Sequence, residues 1–397
     1  MSDRAEVAIL GAGIAGAALA HHLTTRSIGS VLVYDPHTPS AGATGRAAGI
    51  VTEQLWDRWD FEVVRESRAQ YDEIAARHDR SAYRVNGFLR WTYSAEVAEA
   101  LGAAGRRLRE WGADVRTLSA DEVAQHLPWV RTGPIQGASF DPTDGVITPS
   151  TLTEQYLATA RSAGAELLFG EPFRSLRRDG SGWMLSVAGR EVRARRVVVA
   201  AGAWSKRIFA EAKAPLPLAP YRTQAALLRP AGPPASDFPS AHDLDLDVYV
   251  RPEVNGRILA GDGTQLVEVD PETAPLSGDD SFVTHLAETF SDRFPGWADA
   301  GLVRAWAGVC VSTPDRRPLI GPVPGAEGLY ALCGFNGFGV MRAGGAAQRL
   351  AEAIVAGEGS AASERIASVD PGRFGAAPPA FAPRPGFTLE GGLNPRF

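Results

Sequence analysis

Residues 6–10 (Glu-Val-Ala-Ile-Leu) form a short, nearly unbroken apolar run, the pattern of a buried parallel strand, and the chain then passes through Gly11, Gly13 and Gly16 into a helix over 17–23. A second strand, 31–34, ends in Asp35. Further along, 197–205 (Val-Val-Val-Ala-Ala-Gly-Ala-Trp-Ser) reads as a buried strand entering a small-residue turn. Residues 247–263 read as two strands joined at Asn255-Gly256, a strong hairpin signal. Apolar and small residues of 340–354 recur at helical spacing, which places Gly337, Phe338 and Gly339 at a helix N-terminus. From 371 to 397 neither period is present, and an extended C-terminal tail over 366–397 is expected.

A chain of 397 residues exceeds what one hydrophobic core usually serves, so two domains are expected. The net charge of −6 argues against a surface that tracks nucleic-acid phosphates. Cys310 and Cys333 are far apart and form no metal-ligand pattern, so no metal is expected. No run of 18 apolar residues and no basic leader pattern occurs, and the expectation is a cytoplasmic protein without a membrane span.

The opening glycines follow the spacing Gly-x-Gly-x-x-Gly, each with a physical reason. Gly11 permits the tight turn, Gly13 lets the backbone approach a pyrophosphate, and Gly16 lets the helix pack closely on the strand. Helix N–H groups beyond them are suited to phosphate, and Asp35, nineteen residues after Gly16, to ribose hydroxyls. This unit predicts a dinucleotide site without distinguishing FAD from NAD.

Several further segments bear on that choice: Gly42-Ala-Thr-Gly-Arg-Ala-Ala-Gly, Asp144-Gly-Val-Ile-Thr-Pro, Val199-Ala-Ala-Gly-Ala-Trp, Trp306-Ala-Gly, Thr313-Pro-Asp and Gly334-Phe-Asn-Gly-Phe-Gly. With the opening motif and Asp35, and in this order from Val7 to about Phe374, the chain resembles the D-amino-acid oxidase superfamily of FAD enzymes, in the branch with glycine oxidase, monomeric sarcosine oxidase and the dimethylglycine dehydrogenases. The resemblance implies an α/β fold, α+β overall, in which a Rossmann-type FAD-binding domain (1–85, 145–220 and 300–365) is interleaved with a substrate domain (86–144 and 221–299) built on an antiparallel sheet that roofs the flavin. Cofactor residues implied by these motifs are Gly11, Gly13, Ile14, Ala15, Gly16, Asp35, Thr44, Gly45, Arg46, Ala48, Gly49, Ala201, Gly202, Trp204, Gly308, Gly334, Asn336, Gly337, Phe338, Gly339 and Val340.

Family chemistry implies a small amine or amino acid, bound deprotonated, that passes hydride to flavin N5 and becomes an imine, the electrons then going to oxygen or to a protein or quinone acceptor. Alternatives are a flavin subunit of a hetero-oligomeric dehydrogenase and a biosynthetic enzyme acting on a cyclic amine or imine; homo- or hetero-oligomers are compatible with each. The chain departs from its relatives at the substrate clamp. Glycine oxidase has an arginine where Cys310 stands, the cysteine that holds the flavin in sarcosine oxidase aligns closer to Gly308 than to Cys310, and the flavin-linked histidine of dimethylglycine dehydrogenase is replaced by Arg46. The FAD is therefore expected to be noncovalent. Arg342 and Arg251, the latter beside Tyr249, are the candidate replacements for the clamp, with Arg222 behind them, because arginine grips a carboxylate through two parallel hydrogen bonds. The lysine that activates oxygen in sarcosine oxidase is replaced by Leu259. His242, Trp56, Trp59 and Phe61 are further candidates for the pocket wall, against which a structural role is weighed.

Overall fold

The computed structural model describes residues 3–26, 28–55, 57–187, 189–231, 238–261, 267–375 and 380–381. Two eight-stranded sheets dominate it. In the first, strand Arg4–Leu10 lies parallel to Arg190–Val199 on one side and to Val31–Asp35 on the other, and Glu166–Phe169 extends the parallel set. Leu329–Cys333 runs parallel to the end of Arg190–Val199, and Leu319–Pro322 pairs antiparallel with it. The hairpin of Phe173–Asp179 and Gly182–Val187 closes the remaining edge.

The apolar run at the start of the chain has a simple cause: Val7 and Ile9 enter one core and Ala8 and Leu10 another, so neither face of the strand meets water. Helices Ile14–Thr24, Arg58–Arg77, Pro149–Ser162 and Gly339–Ala356 supply the first of these cores. The predicted helices over 17–23 and 340–354 are thus each longer by a few residues at their ends.

His22, 7% exposed on the helix Ile14–Thr24, gives this core a pH dependence. Its Nε2 lies 2.9 Å from Gln70 Oε1. Burial first, and then the adjacent His21, push its pKa down to about 4. The folded protein refuses a proton that the unfolded chain accepts below pH 6.5, so stability is lost as pH falls from 6.5 to about 4. At pH 4 the loss from this group is about 3 kcal/mol. Denaturant unfolding at pH 7 and pH 4 is expected to show a smaller acid loss in His22→Gln than in the wild type; equal losses would refute this origin.

In the second sheet the order is Gly301–Ser312, Ala219–Arg229, Arg257–Gly261, Val248–Glu253, Ser240–Asp243, Phe88–Thr92, Gly137–Asp141 and Arg116–Thr117. Its pairs are antiparallel except one: Ser240–Asp243 runs parallel to Phe88–Trp91, a departure from the wholly antiparallel expectation. The hairpin at Asn255-Gly256 is present, with φ of 59° and 67° at the two residues, the left-handed pair that matches strand twist. Residues 262 and 263 at the end of that reading lie outside the described residues.

Two expected boundaries differ. Gly301–Ser312, assigned from sequence to the cofactor half, pairs along its length with Ala219–Arg229 and so belongs to the second sheet. The expected tail is folded at its start: Ile366 and Val369 are 2% and 0% exposed, and turns at Ala367–Val369 and Pro371–Phe374 are held by Arg373, which donates to Asp315 at 2.7 Å. Apart from 380–381, residues from 376 onward lie outside the described set.

Candidate active site

A cavity of about 860 Å³ runs between the sheets, large enough for a sizeable ligand. All the cofactor candidates line it except Gly16 and Gly45. Those two pack backbone on backbone, since a Cβ would meet Gly11 O at 2.0 Å and Ser40 O at 2.5 Å respectively. Gly11, at φ 117°, closes the turn by donating from its N–H to Tyr34 O at 2.7 Å, and a Cβ there would meet Ala200 O at 2.4 Å. Gly13 precedes the helix Ile14–Thr24 without a side-chain cap, while Thr44 Oγ1 accepts from Ile14 N–H at 3.1 Å. Asp35 accepts from the N–H groups of Ala12 and His37 at 2.8 and 2.9 Å, and burial raises its pKa.

At the other end, Asn336 (φ 55°) braces the glycine turn. Its Oδ1 accepts from Ser312 Oγ at 2.7 Å and Thr313 N–H at 3.2 Å. The helix Gly339–Ala356 then starts, again with no side-chain cap, at the cavity edge. Two helix N-termini therefore present backbone N–H groups and positive dipole ends to one space. Arg46 borders the cavity, but its guanidinium donates into its own loop, to the carbonyls of Ala41 and Gly42.

Strand alternation builds the roof. Leu89, Trp91, Ala241, Val248 and Val250 point into an aromatic core with Trp297, Phe290 and Phe294, whereas Phe88, Arg90, His242 and Tyr249 point the other way and line the cavity. Tyr221, Thr223, Trp306 and Cys310 extend this lining along the neighbouring strands. His242 stacks on Phe88, ring centroids 6.4 Å apart, and its Nε2 lies 3.3 Å from Asp247 Oδ1. Burial, reinforced by Arg90, holds the imidazole well below its usual pKa and so neutral. Burial also pushes the Cys310 thiol up to about 11, against a hydrogen bond with Tyr221.

Of the three residues expected from sequence to act on substrate, only Tyr249 faces the cavity. Arg342 is 0% exposed, and its Nε is 2.8 Å from Asp60 Oδ1. The helical turn carries it away from the cavity-lining Val340 and Met341 toward the helix Arg58–Arg77. Arg251, on the roof strand, lies outside the lining. It donates to the carbonyls of Ala48 and Pro252 and, at 2.8 Å, to Glu253. Arg222 forks onto Asp279 at 2.6 and 2.9 Å. Trp59 and Phe61 are buried in cores, and Trp56 lies outside the described residues. Leu259 is buried in the sheet away from the lining.

Arg90 and Asp247 were missed. A signal for the first existed: Phe88-Leu-Arg-Trp-Thr places one arginine in an otherwise uncharged strand, and all five residues are buried. Among the described residues there is no group of three or more His, Cys, Asp or Glu that could hold a metal, and no helix long and apolar enough to cross a membrane.

A glycine-turn nucleotide site that opens beneath a polar, aromatic roof defines a dinucleotide-dependent oxidoreductase. The chain belongs to the DAO family, FAD dependent oxidoreductase, whose model matches residues 6–353. It is 25% identical over 406 residues to mitochondrial dimethylglycine dehydrogenase of Rattus norvegicus, covering 94% of this chain and 45% of that protein, so it spans about half the length of that relative. Glycine oxidase of Geobacillus kaustophilus is 26% identical, over 86% of this chain and 90% of that one. In fold it is similar to L-proline dehydrogenase from P. horikoshii, with a TM-score of 0.86 and 24% identity over 94% of this chain and 98% of that one. The cofactor is FAD, and the uncapped helix ends and the glycine turn that a Cβ would obstruct are suited to its pyrophosphate.

Proposed function

We propose that the protein oxidises the C–N bond of a small amine or amino acid with noncovalently held FAD. The observation that carries this reading is the single cavity that joins the nucleotide turn, two open helix N-termini and a roof whose imidazole is neutral. When bound, FAD supplies the two-electron acceptor: the C–H bond beside nitrogen breaks with its electron pair leaving as hydride, and the nitrogen lone pair closes a C=N bond that water then hydrolyses.

The chain's own groups do the rest. Gly11 and Gly13 let the phosphates approach the N-terminal end of the helix after them, with Asp35 at the ribose end. The N-terminus of Gly339–Ala356 stabilises negative charge that develops at its end of the cavity. Neutral His242, 3.3 Å from Asp247, accepts a hydrogen bond from the amino group, which enters as the free base after losing its proton to solvent. Phe88, Tyr249 and Trp306 exclude water and orient the substrate. Noncovalent attachment is supported by Arg46, which offers no nucleophile, and by a Cys310 thiol kept protonated by burial.

The test is the absorbance of purified protein before and after acid precipitation, followed by anaerobic additions of amines and amino acids. A yellow supernatant and bleaching by one class of amine are expected. Colour retained in the pellet would overturn noncovalent attachment, and a flavin that no amine or amino acid bleaches would overturn the reaction.

A further inference from the structure

We infer that Arg90 is the carboxylate-recognition residue of this active site, and that the substrate is an amino acid held from the second sheet, away from the Cys310 position. The inference rests on the C–N oxidation proposed above and names its substrate class.

Arg90 is 3% exposed and lines the cavity. Its guanidinium carbon sits 5.1 Å from the centre of the Phe88 ring, and Nη1 donates to Gln54 O. Among the described residues its Nε has no hydrogen-bond partner and no carboxylate lies within ion-pair distance; the carboxyl that acts on it, the more distant Asp144, is itself pushed up to about 8 by burial and so carries little charge at neutral pH. The other arginines considered each already face a protein partner: Arg342 lies 2.8 Å from the Asp60 carboxylate, Arg251 donates to Glu253, Arg222 to Asp279, and Arg46 to its own loop.

A guanidinium taken out of water with no counter-ion destabilises the fold and is retained where something else neutralises it. Burial lowers its pKa only to about 10, so it remains charged at neutral pH. A ligand carboxylate satisfies both deficits at once, since it supplies the missing negative charge and accepts from the idle donor. The roof is polarised accordingly. His242 lies opposite Arg90 in the parallel strand register, and Asp247 sits behind the imidazole. A cationic point that grips carboxylate thus adjoins a neutral base and an acid suited to the amino group, the two ends of an amino acid.

Two experiments on the FAD-loaded protein test this. In the first, flavin absorbance and Tm are followed during titration with sodium acetate and sodium propionate, against sodium chloride at equal ionic strength. In the second, anaerobic flavin reduction is compared for sarcosine against dimethylamine, proline against pyrrolidine and glycine against methylamine, pairs that differ by the carboxylate alone. Saturable carboxylate binding is expected in the wild type, with at least one acid preferred about 100-fold in kcat/KM over its amine partner. Arg90→Met is expected to abolish acetate and propionate binding and to collapse the acid-to-amine ratio toward one, and Arg90→Lys to recover part of both. Circular dichroism and flavin content establish that each variant is folded, and the lysine variant serves if the methionine one is not.

Amines oxidised as well as their acids, with no Arg90-dependent carboxylate binding, would overturn the clamp and leave C–N oxidation standing. Arg90-dependent carboxylate binding with no flavin reduction by any pair would overturn the reaction and leave the clamp standing.

Discussion

Replacing Gly13 by valine is expected to give a folded protein that purifies colourless, its affinity for FAD lowered about 1000-fold. The backbone at Gly13 is ordinary, with φ −71° and ψ 175°, and a Cβ there meets only Thr44 Oγ1, at 3.0 Å. The polypeptide alone therefore tolerates a side chain. What it loses is the close approach of an anion to the N-terminus of the helix Ile14–Thr24, where hydrogen bonds to charged oxygens are among the strongest available. Gly11→Val serves as the contrast, because its Cβ would meet Ala200 O at 2.4 Å and its φ is 117°, so that variant fails in folding as well as in binding. Flavin-to-protein absorbance ratio and unfolding midpoint separate the two. A yellow Gly13→Val protein with full occupancy would refute the assignment of the pyrophosphate to this turn.

The second large effect is expected at Arg342, in stability and not in substrate affinity. Arg342 and Asp60 are 0% and 2% exposed and 2.8 Å apart between Nε and Oδ1. Removing one member of such a pair strands the other and costs about 3–5 kcal/mol, whereas replacing both by apolar groups is close to neutral. Arg342→Met should lose stability on this scale at pH 8, and Arg342→Met with Asp60→Leu should regain most of it. The loss should shrink at pH 5.5. Burial already raises the Asp60 carboxyl to about 6, and without Arg342 it rises further and takes up a proton. Denaturant titration at the two pH values measures this. A raised KM for carboxylated substrates at unchanged stability would instead restore Arg342 as a clamp.

The cofactor half was legible because its chemistry is local. Gly11, Gly13, Asp35 and the turn before Gly339 act through backbone conformations that sequence spacing dictates, and Asn255-Gly256 announced its hairpin for the same reason. The roof was not legible in this way. Phe88–Thr92 pairs with Ser240–Asp243, about 150 residues away, and only that pairing brings Arg90 beside His242. Arg90 is recognised by having no carboxylate within ion-pair distance among the described residues, a property of its surroundings that no motif records. Arg342 was misjudged for a related reason. Proximity to Gly339 in sequence suggested proximity to the cavity, but one helical step of about 100° turns residue 342 away from the face that carries residues 340 and 341.

The strands of the second sheet put Leu89, Trp91, Ala241 and Val250 on one side and Phe88, Arg90, His242 and Tyr249 on the other. Folding and selectivity are therefore encoded on opposite faces of the same segments, in alternating letters. Diversification of one set leaves the other intact, so this sheet is the part of the molecule best suited to acquire new substrates by mutation while the nucleotide half is inherited unchanged.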